Sequence, residues 1–262
     1  MMKPTLTDMH NVITIAKKAG ETIMQVYEKN FSVEYKEDQS PLTEADLASH
    51  HLICDELSKL YPDIPVLSEE SANNFTLIDE NALFWCVDPL DGTKEFIKKN
   101  NEFTVNIALI QNQQPVLGVI GVPAKNMEYA AVKGEGAFKQ QGDKELQKIR
   151  VKPQDPDHLT FAVSRSHLDD HTKTMVDHYQ AEMLQAGSAL KLAYVAEGLV
   201  DVYPRFGSTM LWDVAAGQCV IEEAGGQVLC AANQQPMTYH INHMKNDSFI
   251  AMNKTLQKRV ET

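Results

Sequence analysis

Asp88-Pro89-Leu90-Asp91-Gly92-Thr93 sets two carboxylates three residues apart, directly after the apolar run Phe84-Trp85-Cys86-Val87. A buried strand over that run delivers Asp88 to its carboxyl end. Pro89 then stops ladder pairing, and Gly92 permits a sharp change of direction. Both carboxylates and the Leu90 carbonyl can converge on one point, and hard divalent cations take such all-oxygen shells. Gly92 and Thr93 open a short helix through Ile97, whose free N–H groups suit a phosphate oxygen. The same string also suits an ordinary surface turn. Two further acidic points favour chemistry: Glu69-Glu70 follows the apolar approach Pro65-Val66-Leu67, and Trp212-Asp213 opens a helix. Asp213 serves there either as a cap or as a ligand.

Charge sharpens the question. Of 262 residues, 36 are acidic and 24 are lysine or arginine, a formal net charge of −12. That field disfavours nucleic acid and repels any anionic substrate. Bound cations would reverse the sign locally, which fits an oxygen-rich metal site. The four cysteines form no C-x-x-C pair and no zinc spacing; Cys54, Cys86 and Cys219 read as small core residues, and reduced thiols suit the cytoplasm. The first 20 residues lack the apolar core of a signal peptide, and no run approaches the ~18 apolar residues of a membrane span.

The elements that position these groups follow from periodicity. Met9, Val12, Ile13, Ala16, Ala19, Ile23 and Val26 predict a helix over Asp8–Glu28. A second helix opens at Thr43 as cap, with Asp46 in its first turn and an inner stripe of Leu47, His50 or His51, Cys54, Leu57 and Tyr61. Phe31–Glu37 reads as extended. Strands are expected at Phe103–Ile110, Val116–Val122, Glu128–Val132 and Ala137–Gln140, joined by hairpin signals. Beyond the polar stretch Lys152–His158 come a strand (Leu159–Ser164), helices around Asp169–Tyr179 and Ser188–Glu197, a strand (Leu199–Tyr203), a helix from Trp212 to Ala224 stopped by Gly225-Gly226, and strands near Gln227–Leu229 and Phe249–Met252. The division expected is an N-terminal α+β lobe (1–155) with most of the acidic set, and a C-terminal α/β lobe (156–262) carrying Asp213. Mixed helices and hairpins argue for layered α+β structure rather than a parallel sheet alone.

Taken in order, Ser68-Glu69-Glu70-Ser71, Asp88–Thr93 and Leu211-Trp212-Asp213-Val214-Ala215-Ala216-Gly217 resemble the three signatures of the inositol monophosphatase-like superfamily, over nearly the whole chain. Asp91–Phe96, Glu102–Leu109, Ser164–His167, Gly187–Lys191, Val195–Gly198 and Tyr203-Pro204-Arg205 are most similar to its bacterial 3′(2′),5′-bisphosphate nucleotidase branch. One departure is Ala189, where the family often has a second serine. The resemblance implies an α-β-α-β-α sandwich with largely antiparallel sheets, magnesium dependence with two or three ions, and inhibition by lithium. It implies hydrolysis of the 3′-phosphate of adenosine 3′,5′-bisphosphate to AMP, and of 3′-phosphoadenosine 5′-phosphosulfate, in sulfate assimilation. It also implies a monomer or homodimer in the cytoplasm, in some relatives peripheral on the inner membrane. The rival readings are an inositol or sugar monophosphatase and a catalytically silent metal-binding regulator on the same fold.

By the same resemblance, Glu69, Asp88, the Leu90 carbonyl, Asp91 and Asp213 hold the metals, with Glu70 as an outer or additional ligand. Asp46 and Thr93 orient and deprotonate the attacking water. Glu69, Leu90, Gly92, Thr93, Ser164, His167, Ser188, Lys191, Arg205 and Asp213 contact substrate, and Lys36 approaches the metals. Residue by residue, alternatives stand beside these roles: Asp46 as a favourable first-turn acid, Lys191 as a solvated helix residue, His167 as a helix-entry residue, Arg205 as a surface cation, Lys36 as a charged loop residue.

Overall fold

The computed structural model describes residues 2–29, 31–35, 41–75, 83–153, 158–165, 168–257 and 260. The first half comprises α1 (Leu6–Tyr27), β1 (Val33–Tyr35), β2 (Pro41–Thr43), α2 (Glu44–Leu60), β3 (Val66–Ser68), β4 (Phe84–Asp91), α3 (Thr93–Ile97), β5 (Thr104–Gln111), β6 (Gln114–Val122), β7 (Met127–Val132), β8 (Gly136–Gln141) and β9 (Gln147–Ile149). The second half comprises β10 (Thr160–Ser164), α4 (Asp170–Tyr179), β11 (Glu182–Ala186), α5 (Leu190–Ala196), β12 (Val202–Arg205), α6 (Leu211–Glu223), β13 (Gly226–Cys230) and β14 (Phe249–Asn253).

Two large sheets result. A seven-stranded sheet runs β3-β4-β5-β6-β7-β8-β9, antiparallel except for β3 beside β4. A five-stranded mixed sheet runs β11-β10-β12-β14-β13. Alternation along the strands sorts side chains into layers. On β4, Trp85 and Val87 join the core under α1 and α2, while Phe84 and Cys86 join the core around α5 and α6. On β14, Phe249 and Ala251 face that same central core, while Ile250 and Met252 pack with Met175 and Val176 of α4. The order is therefore helix, sheet, helix, sheet, helix. The middle helical layer is shared, so one core joins both sheets.

Glycines let that middle layer approach closely. A Cβ on Gly118 of β6 would lie 2.5 Å from the Ala216 carbonyl oxygen, and one on Gly217 would lie 2.4 Å from Leu192 Cδ1. The small residues after Asp213 thus seat α6 between β6 and α5, which fixes where Asp213 stands.

Several expectations change. The α2 stripe is displaced: Ala45, Asp46, Ser49, Ile53 and Leu57 are buried, whereas Leu47 is 40% exposed and His51 is exposed. An apolar count passed over Asp46 and Ser49, which are buried because they have polar partners across the layer. Pro89 interrupts the β4 ladder rather than ending it: pairing with β5 skips from Asp88↔Asn106 to Asp91↔Thr104. The bulge is what turns both carboxylates toward one place. β9 and β11 have no counterpart in the periodicity; β11 is an edge strand with exposed Glu182 and Met183, so its burial signal is weak. Lys152–His158 falls partly outside the described residues.

All four cysteines are free, with Cys86, Cys219 and Cys230 buried and Cys54 half-buried. Burial pushes the Cys54 thiol up to about 11, which leaves it unreactive near neutrality.

Glu128 on β7 is a buried acid under strain. It is 5% exposed, its Oε2 accepts no hydrogen bond among the described residues, and Lys17 Nζ stands 3.9 Å away. Burial outweighs Lys17 and pushes the carboxyl up to about 7, from 4.5. Between those values the native state holds a proton that the unfolded chain has lost, so stability falls as pH rises through that window. Glu128→Gln should therefore melt about 3–6 °C higher at pH 8, a gain that fades toward pH 5. Melts by circular dichroism at both pH values check this; a loss at pH 8 would mean the Lys17 pair outweighs desolvation.

Candidate active site

Asp88, Asp91 and Asp213 meet, with one carboxylate oxygen from each lying within 4.8 Å of the others. Asp88 and Asp91 flank the β4 bulge, and Asp213 comes from the first turn of α6. Asp88 is 2% exposed, and its Oδ1 accepts from the Leu90 N–H at 3.0 Å. Asp213 is not the cap. It is the third residue of α6, and its Oδ2 accepts from the Met210 N–H at 2.7 Å. Asp91 Oδ2 accepts from Ser188 Oγ and the Ala189 N–H, both at 2.7 Å, and from Thr104 and Asn106. That leaves Asp91 Oδ1 without a hydrogen bond among the described residues.

Three carboxylates this close disfavour their own ionisation. Burial first, then Glu69, Asp91 and Asp213, hold Asp88 well above the ordinary carboxylate range. Burial and then Asp91 push Asp213 up in the same way. A cation at their centre would remove both penalties, and an all-oxygen set without histidine or cysteine suits a hard divalent ion. Glu69 belongs to this field. It follows Ser68, which pairs with Val87 just before Asp88, and its charge also raises Asp46. Glu70 is half-buried one residue further along the same 3-10 turn.

Asp46 both caps its helix and reaches Thr93. Oδ2 accepts from the Thr43 N–H at 2.8 Å and from Thr43 Oγ1 at 2.6 Å, closing the capping box of α2. Oδ1 accepts from Thr93 Oγ1 at 3.1 Å. The Thr93 hydroxyl also lies 3.4 Å from the Leu90 carbonyl. Burial raises the Asp46 carboxyl above its usual range.

The cluster opens into a cavity of about 600 Å3, counting space open to solvent, which takes in Gly92, Ser164, Ser188, Lys191 and Arg205 beside Asp91 and Asp213. Gly92 has φ +88°, and a Cβ there would press on Ser188 Cβ at 3.2 Å. Lys191 is not solvated: it is 5% exposed, donates to the Ser188 and Ala186 carbonyls at 2.7 and 3.2 Å, and lies over the Tyr203 ring. Burial lowers its ammonium to about 8. Arg205 is half-buried, and its buried Nε has no hydrogen-bond partner among the described residues, so it is not a plain surface cation. Lys36 and His167 lie outside the described residues.

Thr104, Asn106 and Tyr203 were not assigned roles from sequence. Thr104 and Asn106 carried a usable signal, being polar at alternate positions of an otherwise apolar strand, on the face that holds Asp91. Tyr203 carried none, because its role is to lie under Lys191. Ala189 contributes through its backbone, whose N–H donates to Asp91 Oδ2.

The model of the inositol monophosphatase family matches residues 6–261. The chain belongs to the inositol monophosphatase family. Within this family it is 44% identical over 223 residues to the Escherichia coli K12 3′(2′),5′-bisphosphate nucleotidase CysQ, covering 84% of this chain and 89% of that one. It is 35% identical over 256 residues to the CysQ of Aggregatibacter actinomycetemcomitans, covering 95% and 93%. The crystal structure of CysQ from Bacteroides thetaiotaomicron, described as a bacterial inositol monophosphatase family member, superposes with TM-score 0.81 at 39% identity, covering 95% and 97%. The five-layer order is thus the inositol monophosphatase fold. Among the described residues, no helix is long and apolar enough to cross a membrane.

Proposed function

We propose that this chain is a magnesium-dependent phosphatase that removes the 3′-phosphate of adenosine 3′,5′-bisphosphate, giving AMP and phosphate. One observation carries the choice of substrate. The cavity that holds Asp91 and Asp213 also holds Lys191 and Arg205, so carboxylates and two cations line one space. A substrate with a single phosphate engages one end; a nucleotide with two engages both. The names of the bacterial relatives support the same reading. 3′-Phosphoadenosine 5′-phosphosulfate carries the same 3′-phosphate and falls in the same class.

Glu69, Asp88, the Leu90 carbonyl, Asp91 and Asp213 would hold Mg2+, in two or three ions, with Glu70 behind them. Bound Mg2+ supplies Lewis-acid neutralisation of the charge that grows on the phosphoryl oxygens. The remaining work is positioning. Thr93 Oγ1, already donating to Asp46 Oδ1, accepts a proton from the incoming water as its own proton passes to the carboxylate. Thr43 keeps Asp46 Oδ2 occupied, which reserves Oδ1 for that transfer. Gly92 and Ser188 border the reacting phosphate; Ser164, Lys191 and Arg205 hold the rest of the nucleotide.

Turnover of adenosine 3′,5′-bisphosphate and inositol 1-phosphate, measured side by side with Mg2+ and with chelator, tests this. The bisphosphate should be preferred by about 100-fold in kcat/KM, an order expected when a charged subsite is left empty by the poorer substrate. Preference for the inositol phosphate would make the chain a monophosphatase, and no phosphate release at all would leave only a regulatory role.

A further inference from the structure

Three side chains on one face of α2 reach three different segments of the acidic site. Asp46 Oδ1 accepts from Thr93 at the start of α3. Ser49 Oγ donates at 2.7 Å to the carbonyl oxygen of Pro89, inside the bulge between Asp88 and Asp91. His50 Nδ1 shares a hydrogen bond of 2.8 Å with Ser68 Oγ, directly before Glu69. Positions 46, 49 and 50 are spaced i, i+3 and i+4, so a straight helix presents them together.

Burial shows that these contacts are built in. Ser49 and Ser68 are fully buried, and His50 is partly so. Pro89 has no N–H to anchor it, and the β4–β5 ladder lapses between Asp88 and Asp91. The Ser49 hydroxyl therefore holds the bulge at the point where sheet hydrogen bonds do not. Ser68 ends β3, where the chain leaves the sheet and Glu69 begins a 3-10 turn. His50 holds that exit.

We propose that Ser49 and His50 are positioning residues for the metal site, α2 acting as a ruler that sets the spacing between Glu69 and the Asp88–Asp91 pair through the Ser68 hydroxyl and the Pro89 carbonyl. The proposal rests on the reading of the acidic cluster as a metal site, and not on which phosphate monoester is the substrate. Neither residue touches the ions. Each fixes a backbone segment whose carboxylate does, as outer partners do in metal sites generally.

The experiment titrates Mn2+ into the substrate-free protein and follows binding by electron paramagnetic resonance, beside Ser49→Ala, His50→Ala, His50→Asn and Ile53→Val. Ser49→Ala should raise the Mn2+ Kd about 10-fold, the lower end of what lost outer partners do to metal affinity. His50→Asn keeps a polar atom near Ser68 Oγ and should weaken binding less than His50→Ala. Ile53→Val thins the same buried face without touching a ligand segment, so it should lower the melting temperature while leaving Kd within about twofold. Unchanged Mn2+ affinity in Ser49→Ala and His50→Ala would overturn the proposal. So would an equal loss in Ile53→Val, which would make the effect one of general stability. A parent protein that binds no Mn2+ would sink the metal-site reading itself, and the proposal with it.

Discussion

Asp91→Asn should lower kcat for phosphate release by at least ~10³-fold, about 4 kcal/mol of transition-state stabilisation, without unfolding the protein. Asp91 Oδ2 is held by Ser188, Ala189, Thr104 and Asn106, all donors, so an asparagine carbonyl takes the same place. The amide nitrogen then faces the cluster, where a donor replaces a carboxylate oxygen and repels a cation. Removing this charge also relieves Asp88 and Asp213, both raised by Asp91. In chelator the variant should melt no lower than the parent, and the rise in melting temperature on adding Mg2+ should vanish. Full activity with Mg2+ would eliminate the metal-site reading, and a collapse in chelator would show Asp91 to be chiefly structural.

Lys191→Ala should cut kcat/KM for adenosine 3′,5′-bisphosphate by about 100-fold, near the upper end of what a charge-assisted hydrogen bond contributes. Hydrolysis of inositol 1-phosphate should change by less than about threefold, because that substrate has no second anion. An ammonium has three donors, and the Ser188 and Ala186 carbonyls take two. The third is left for a ligand in the cavity that Lys191 lines. Lys191→Met separates packing from charge, since its stem still covers the Tyr203 ring. Equal losses on both substrates would mean that Lys191 acts through Ser188 on Asp91, as a support for the metal site.

Legibility differed with the kind of interaction. α1, expected over Asp8–Glu28, spans Leu6–Tyr27, because an apolar stripe with a cap at Thr5 is a local pattern. The hairpin between β5 and β6, expected with a turn over Gln111–Pro115, is tighter: Asn112 and Gln113 alone link the strands, with φ of 51° and 63°. The inner face of α2 is not legible from apolar residues: Leu47 is exposed, while Asp46 and Ser49 are buried with polar partners 47 and 40 residues away. β11 was invisible, since pairing with β10 places it and its own side chains are mostly exposed.

The carboxylates, the bulge-forming proline, the left-handed glycine and the helix starts are properties of short stretches. The sequence therefore determined which groups could bind a hard cation and which strand end would bear them. Tertiary structure decided what each of those groups is for. It brought Asp213 of α6 to Asp88 and Asp91 of β4, withdrew Lys191 from solvent, and gave the two oxygens of Asp46 separate duties. The physical reason is that a carboxylate acquires its role from the charges and donors around it, and here most of those arrive from distant parts of the chain.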